Sequence, residues 1–158
     1  MKWIGCFWAT HTSFTDYIFT NYLSNTMVIG IAPHKGILTT YGQIFGAFYS
    51  SISKTSTGSK RSSLDQARMQ LLQQLVAAKL NCAAFGCSSS ITTLISGADA
   101  AYAGSNATAI LNYESQLDAY NSGPGDNVNV PNSLAPFQGS ATPKTSQAIA
   151  NVIYWNSP

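Results

Sequence analysis

Apolar residues recur at every third or fourth position through the middle of the chain, a spacing that is typical of amphipathic helices. The clearest such stretch spans about residues 64–84; Ser63 with Gln66 is predicted to cap its start, and Gly86 to end it. Its apolar stripe consists of Leu64, Ala67, Leu71, Leu75, Ala78 and Cys82, and is widened by Leu72 and Val76. A stripe of this width predicts a helix that packs in the core.

Two more helices are predicted after this one. The second begins at Ser90 and ends at Gly104, and the third is capped by Ser105 or Asn106 and ends at Gly123. Their apolar positions, again at helical spacing, are Ile91, Leu94, Ile95, Ala98 and Tyr102, then Ile110, Tyr113, Leu117 and Tyr120. Short turns between helices favour antiparallel packing, so we expect a central helical block over about residues 63–123.

The N-terminal segment, residues 1–53, has a weaker pattern and is rich in aromatic side chains. It predicts helices at 14–23 and 42–53, with a short strand near residues 27–31 between them.

Beyond the central block, residues 122–142 are rich in Gly, Pro, Asn and Ser and predict an irregular connection, while residues 143–155 predict a C-terminal helix that begins at Pro143. The sequence therefore predicts one mainly α domain over residues 1–158. Its architecture is a bundle of five to six helices with long irregular loops.

Charged residues make up only 9% of the chain, the net charge is +2, and the apolar content is 45%. An average soluble domain has about 25% charged residues, and here Ser, Thr and Asn take their place. Because electrostatic repulsion helps to keep protein molecules apart, a nearly neutral surface favours self-association. The chain also lacks the Lys/Arg cluster that nucleic-acid binding requires, so we expect no nucleic-acid partner.

The three cysteines predict one disulfide bond. Cys82 and Cys87 are five residues apart with Gly86 between them, so a chain reversal brings their Cα atoms within disulfide range. The alternative is a pair of buried free thiols. Cys6 is left over or competes for one of the others.

Composition and cysteine use together favour a secreted or cell-surface protein. The first residues do not read as a signal peptide, because His11 and Asp16 interrupt the apolar stretch that such a peptide needs. We expect a leader to lie outside this numbering. No run approaches the roughly 20 apolar residues of a membrane-spanning helix, so no transmembrane segment is expected.

No group of residues in the sequence predicts catalysis or metal binding. Glycoside hydrolysis needs two carboxyl groups across one cleft, whereas Asp99, Glu114 and Asp118 are more typical of caps and interhelical hydrogen bonds. His11 and His34 are too scattered for a zinc site. We therefore predict no catalytic residues, no metal and no cofactor.

Candidate contact residues lie mainly in the aromatic N-terminus. Trp3, Trp8 and His11 are predicted to contact a ligand or partner, since aromatic faces stack on sugars and fill apolar pockets; the alternative is that they belong to the core. Asn106 begins an Asn-Ala-Thr triplet and is a candidate glycosylation acceptor.

Four short motifs occur in an order that resembles a group of secreted bacterial domains with no known activity. The motifs are Gly5-Cys6-Phe7-Trp8-Ala9-Thr10-His11, Leu75-Val76-Ala77-Ala78-Lys79-Leu80-Asn81, Ala98-Asp99-Ala100 and Leu117-Asp118-Ala119-Tyr120-Asn121-Ser122-Gly123. Those domains begin with a G-[YF]-W-x-x-H element and continue with an A-A-K-L-N helix, an A-D helix and an L-D-x-Y-N-x-G helix end. This chain departs from the pattern at Cys6, which is inserted after the glycine, and at Thr12, where a proline is usual.

The resemblance implies secretion and a surface or matrix setting, and it brings no catalytic residue with it. The motif positions imply a structural framework of polar and aromatic side chains that joins the N-terminus to the helical block. Its members are Trp8, His11, Asn81, Asp99, Asp118 and Asn121.

The sequence thus favours a non-enzymatic extracellular structural or surface protein, for example one subunit of a self-assembling filament or coat. Its expected partners are other copies of itself, other surface components or glycans. A carbohydrate-binding or cell-wall-associated module is the alternative, and a small secreted hydrolase is a third. The hydrolase predicts that two of His11, Asp99, Glu114 and Asp118 meet in one pocket.

Overall fold

The computed structural model describes residues 4–123 and 132–158, with the side chains of all but Ile4 and Gly5. Within these ranges the chain forms seven α-helices and one two-stranded antiparallel sheet. The elements are α1 Ile4–Thr10, α2 Thr12–Tyr22, β1 Met27–Ile31, β2 His34–Leu38, α3 Tyr41–Tyr49, α4 Ser63–Phe85, α5 Ser89–Ala103, α6 Ala107–Asn121 and α7 Pro143–Ile149, with short 3₁₀ turns at Ala135–Phe137 and Ile153–Asn156. The mainly α fold class is confirmed. The short helix α1 and the strand β2 were not predicted.

Helix α4 is the central element of the fold, and it contacts α1, α2, α3, α5, α6 and β1. Its apolar side chains face so many neighbours that Leu71, Leu72, Leu75 and Val76 are all fully buried. The N-cap is Ser62, whose Oγ accepts a hydrogen bond from the Asp65 N–H at 3.0 Å. The predicted cap, Ser63, is one residue late because either serine fits the motif from sequence alone.

Helices α4, α5 and α6 pack against one another and form the central block. Ser88 caps α5, two residues before the predicted start at Ser90, and Asn106 caps α6 through its Oδ1. Gly97 allows α5 and α6 to approach closely, because a Cβ at this position would lie 2.5 Å from the Tyr113 hydroxyl.

Strands β1 and β2 form a hairpin with a cis Ala32–Pro33 bond in its turn. The register pairs Met27 with Leu38 and continues to the pair at the turn. Gly30 has a φ of 73°, and a Cβ there would lie 2.2 Å from the His34 carbonyl oxygen, so only glycine fits. The pattern did not predict β2, because its Lys-Gly centre interrupts the apolar run.

The C-terminal segment packs on α3 through two glycines. Thr40 and Gln43 form a capping box at the start of α3. A Cβ at Gly42 would lie 3.0 Å from the Ile149 carbonyl oxygen, and one at Gly46 would lie 2.3 Å from that of Asn151.

Both predicted helices in this region are shorter than expected. Helix α3 ends at Tyr49, and α7 ends at Ile149. The chain leaves α7 to run beside α3, where the Asn151 N–H donates to the Gly42 carbonyl at 2.8 Å.

Candidate functional site

A chain of buried hydrogen bonds, which we call the amide chain, joins α1, α4 and α6. The Trp8 Nε1–H donates to Asn81 Oδ1 at 2.8 Å, and Asn81 Nδ2 donates to Asn121 Oδ1 at 3.0 Å. Asn121 Nδ2 donates to the carbonyl and side-chain oxygens of Gln74, both at 2.9 Å. Gln74 Nε2 then donates to Asp118 Oδ1 at 3.0 Å. Four of the six residues implied by the family resemblance therefore lie on one continuous network.

The chemistry of the amide chain is that of a structural element. Its buried members are neutral amides and an indole, which neither transfer protons readily near neutral pH nor act as nucleophiles. Each bond satisfies a polar group that is costly to bury alone. The chain therefore fixes how α1 sits on the helical block.

The structure describes two of the three predicted contact residues, the buried Trp8 and the half-buried His11. Trp8 is completely buried, with its indole N–H bonded to Asn81, so the prediction that it contacts a ligand is wrong. His11 stacks on Phe7 with ring centroids 4.1 Å apart, and its Nδ1 lies 3.0 Å from the Phe7 carbonyl oxygen. Trp3 lies outside the described residues.

Asp99 belongs to a second network, which attaches the hairpin to α4 and α5. Lys79 Nζ contacts both carboxylate oxygens of Asp99, at 2.7 and 2.9 Å, and donates to the Val28 carbonyl. The Gly30 N–H donates to Asp99 Oδ1 at 2.7 Å. Both charged side chains are only 15% exposed, and burial lowers the pKa of Lys79 while the Asp99 charge opposes that shift.

Three of the four residues considered for a hydrolase, His11, Asp99 and Asp118, have separate partners. Asp99 is bound to Lys79 and the hairpin, Asp118 is bound to Gln74 on another face of α4, and His11 lies against Phe7. In the described part of the chain, no three residues among His, Cys, Asp and Glu gather as ligands for a metal ion.

Cys82 and Cys87 form the predicted disulfide bond, with a Cα–Cα distance of 5.0 Å. The bond connects the last turn of α4 to the start of the segment before α5, and Gly86 between them has a φ of 75°. Cys6 is a free, exposed cysteine. The disulfide thus pins the end of the central helix.

Exposed apolar side chains are unevenly distributed over the described residues. Phe85 and Leu111 are the only large ones in the central block, whereas the remainder lie before α4 or after α6: Tyr22, Val28, Ile31, Ile37, Tyr41, Phe137, Ile153 and Tyr154. The largest exposures are 71% at Ile153 and 50% at both Ile31 and Ile37.

Four of these exposed side chains lie in one region, formed by the hairpin and the 3₁₀ turn beside it, which we call the hairpin face: Ile31, Ile37, Ile153 and Tyr154. The turn contacts the hairpin directly, because the Tyr154 hydroxyl lies 3.5 Å from the position of a Cβ on Gly36. Side chains alternate along a strand, so the register places Ile31 and Gly36 on one side of the sheet and Ile37 and Lys35 on the other. The hairpin face is therefore an exposed apolar region that covers both sides of the hairpin, with Lys35 as its exposed cation.

A pocket of about 300 Å³ opens within the hairpin face. Its lining is aromatic and polar and consists of Pro33, His34, Lys35, Gly36, Tyr102, Tyr154, Trp155, Ser157 and Pro158. Tyr102 forms its buried wall, and burial raises the pKa of this phenol well above its ordinary value.

A shallower groove of about 430 Å³ runs between the end of α2, β1, and the disulfide. Its lining is mostly apolar, and Lys79 at its floor already contacts Asp99 and the Val28 carbonyl. The ammonium group therefore has no free N–H with which to hold an anionic ligand.

The chain matches no protein-family model, no curated protein and no solved structure. Among the helices in residues 4–123 and 132–158, none combines the length and the hydropathy needed to cross a bilayer.

The residues of the hairpin face were missed by sequence reasoning. Ile37 and Tyr154 look like ordinary core residues in the sequence, because exposure depends on which strand and turn lie beside them. Lys79 belongs to the second of the four motifs, but its hydrogen bond to the Val28 carbonyl of the hairpin is a tertiary contact that a local pattern does not predict.

Proposed function

We propose that this chain is a non-enzymatic extracellular structural protein that self-associates through the hairpin face. The observation that carries the proposal is the concentration of exposed Ile31, Ile37, Ile153 and Tyr154 in one region, around the hairpin, of a chain with few charges. Contiguous exposed apolar surface on an otherwise soluble domain is typical of protein interaction sites. Low charge lets identical surfaces approach without strong repulsion.

The extracellular setting is supported by the Cys82–Cys87 bond, because structural disulfides persist mainly in oxidising compartments. Hydroxyl and amide side chains in place of charges are also compatible with an environment of variable ionic strength, since neutral groups hydrate with little dependence on salt. Asn106 is the exposed N-cap residue of α6 and stays a candidate glycosylation acceptor.

The experiment is to measure the mass of the purified chain against concentration by sedimentation, and to examine concentrated samples by electron microscopy. The proposal expects dimers or larger assemblies in the micromolar range that persist from low to high salt, because apolar contacts are not screened. A strictly monomeric chain at high concentration would count decisively against it.

A matched pair of variants identifies the surface. Ile153→Ser lies on the hairpin face, and Leu111→Ser lies on the exposed side of α6 in the central block. We expect the first to weaken association and the second to leave it unchanged. Equal effects would assign the association to a different surface or to nonspecific contacts.

A second candidate function is carbohydrate binding, which the aromatic pocket favours. Tyr154, His34 and Lys35 offer ring faces and polar groups around a space of about 300 Å³, the combination that recognises sugars, and the buried Trp155 forms part of its wall. Trp8, which was predicted to contact a ligand, is buried and does not line this pocket.

A polysaccharide pull-down and a glycan array test this second function. Binding that is lost in Tyr154→Ala and retained in Tyr22→Ala would support it, since both tyrosines are exposed but only Tyr154 lines the pocket. The absence of binding to any glycan would leave self-association as the sole proposal.

A further inference from the structure

The two edges of the hairpin differ in whether other parts of the chain hydrogen-bond to their backbone groups. On the β1 edge, Lys79 donates to the Val28 carbonyl and Asp99 accepts from the Gly30 N–H. This ion pair therefore supplies a donor and an acceptor where a neighbouring strand would supply them. The Lys79–Asp99 pair therefore blocks the β1 edge to another strand.

The register shows where the backbone groups of β2 point. Val28 pairs with Ile37, and Gly30 pairs with Lys35. Because Val28 and Gly30 direct backbone groups away from β2, both pairs are of the non-hydrogen-bonded kind. The N–H and C=O groups of Lys35 and Ile37 consequently point away from β1, toward the outer edge of β2.

In the part of the chain that the structure describes, no backbone hydrogen bond from another element occupies this outer edge. The backbone hydrogen bonds between elements include none to Lys35 or Ile37, and both side chains are exposed. A sheet edge of this kind is a template for another strand.

We propose that the occupant of this edge is β2 of a second copy of the chain, paired antiparallel about a two-fold axis at Gly36. The inference rests on the self-association proposed above and specifies its geometry. Two hairpins then join into one four-stranded sheet. Each Lys35 faces Ile37 of the other copy, and all four outward N–H groups of these residues find carbonyl partners.

The sequence of β2 fits this register better than either neighbouring one. A shift that centred the axis on Lys35 would place two ammonium groups directly opposite each other, which is destabilising. A shift toward Ile37 would leave part of the five-residue strand His34–Leu38 unpaired. The Gly36-centred register uses the whole strand and opposes no like charges.

The side chains around the axis are also suited to a second copy. Gly36 has no side chain, and Tyr154 covers it with its hydroxyl 3.5 Å from the Cβ position. Across a two-fold axis at Gly36, the Tyr154 side chains of the two copies lie on the same side of the joined sheet and approach each other. Lys35 is an exposed charge on this strand, and in the Gly36-centred register it lies opposite Ile37 of the second copy rather than a second ammonium group.

The first experiment removes the outward N–H with Lys35→Pro. Proline lacks the donor, and because that donor points away from β1 the intramolecular pairing is retained. We expect the dimer dissociation constant to rise by roughly tenfold or more, since each dimer loses two hydrogen bonds and gains steric conflict at the axis. Lys35→Ala keeps the N–H and is the matched control, for which association is expected to be retained.

The second experiment uses cross-linking and does not depend on tolerance of proline. Opposed residues of a non-hydrogen-bonded antiparallel pair have Cα atoms about 4.5 Å apart, within disulfide range. In a Cys6→Ser background, Gly36→Cys is expected to form an intermolecular disulfide under mild oxidation. Its Cβ has room, because the nearest atom is the Tyr154 hydroxyl at 3.5 Å.

The control for cross-linking is Lys35→Cys in the same background. In the proposed register the two copies of residue 35 are diagonal neighbours about 7–8 Å apart, beyond the usual disulfide range. We expect cross-linking of Gly36→Cys to be at least tenfold faster. Equal rates, or faster reaction at residue 35, would overturn the register.

The outcomes separate this inference from the proposed function. If the natural chain associates but Lys35→Pro associates equally well and Gly36→Cys does not cross-link, the β2 edge is overturned and self-association stands. If the natural chain stays monomeric at high concentration, both are overturned. Loss of association in Lys35→Pro together with selective cross-linking of Gly36→Cys supports both.

Discussion

The central block of α4, α5 and α6 and the hairpin face are built by different means from the same low-charge composition. In the block, apolar side chains face inward and the amide chain satisfies the buried polar groups, including the indole of Trp8 and the side chain of Asn81. On the hairpin face, apolar side chains such as Ile153 point outward, and the supporting segment is attached through glycine contacts at Gly42 and Gly46. The block is complete within one chain, whereas the hairpin face leaves apolar surface and a strand edge in water.

This difference indicates that the block determines the stability of the domain, whereas the hairpin face is available for association. Buried networks of amides are stable only when every member has a partner, so the block tolerates little change. The hairpin face is held by backbone contacts and one buried ion pair, and its exposed side chains are free to serve another purpose. Substitutions in the two regions should therefore have opposite consequences for stability and association.

The largest expected effect is that of Asn81→Ala in the block. The substitution leaves the Trp8 N–H and one Asn121 oxygen buried without partners, which should cost about 2–4 kcal/mol of the free energy of unfolding. For a domain of this size the Tm should fall by about 5–15 °C, as measured by circular dichroism.

The matched comparison for that variant is Asp118→Ala, at the end of the same chain. It removes the acceptor of one bond from Gln74, so the Tm should fall by only several degrees. An Asn81→Ala protein that melts like the natural one would show that the amide chain does not hold α1 to the block.

A smaller and local effect is expected from Gly46→Ala, which tests how the C-terminal segment is attached. The added Cβ would lie 2.3 Å from the Asn151 backbone oxygen, so the segment must shift away from α3. We expect a cost of about 1–3 kcal/mol and faster amide hydrogen exchange in residues 150–156, with the block unaffected.

Gly42→Ala is the graded control for this substitution, because its Cβ would lie 3.0 Å from the nearest backbone oxygen, that of Ile149. Its effect should be the milder of the two. A greater effect at Gly42 than at Gly46 would contradict the packing of this segment on α3.

The smallest expected effect is on how the free energy of unfolding changes with pH, through Tyr102, which lies where the central block meets the hairpin. Tyr102 is buried between α5 and the hairpin, and burial raises its pKa from 10.0. Above pH 10 the unfolded chain releases this proton while the folded chain keeps it, so the free energy of unfolding falls as the pH rises. In Tyr102→Phe this loss should be smaller between pH 10 and 11.

Melting curves at pH 9, 10 and 11 measure that difference. Part of the loss should remain in Tyr102→Phe, because burial also raises the pKa values of Tyr49 and Tyr120. A steeper loss in the variant than in the natural chain would have the wrong sign and would contradict the burial of Tyr102.

Local sequence patterns predicted the block well because its information is local. The apolar spacing of residues 64–84 follows directly from helix periodicity, and the Cys82–Cys87 bond follows from two cysteines on either side of a glycine. The N-cap of α4 was predicted at Ser63 and lies at Ser62. The error is small because two adjacent serines can cap a helix equally well.

The hairpin face was harder to predict because its structure depends on contacts between residues that are distant in sequence. Strand β2 has a Lys-Gly centre that weakens its local pattern, and it exists because β1 pairs with it. Helix α7 is short because the Asn151 N–H finds the Gly42 carbonyl, a contact more than a hundred residues apart in sequence. Trp8 was misjudged as a contact residue for the same reason, since its partner Asn81 lies on a distant helix.

The most direct test of the account is sedimentation of the purified chain beside Ile153→Ser at matched concentrations and at low and high salt. The account predicts that the natural chain forms dimers or larger assemblies, that salt changes this little, and that Ile153→Ser shifts it toward monomer with an unchanged Tm. A natural chain that remains monomeric at every concentration would contradict it.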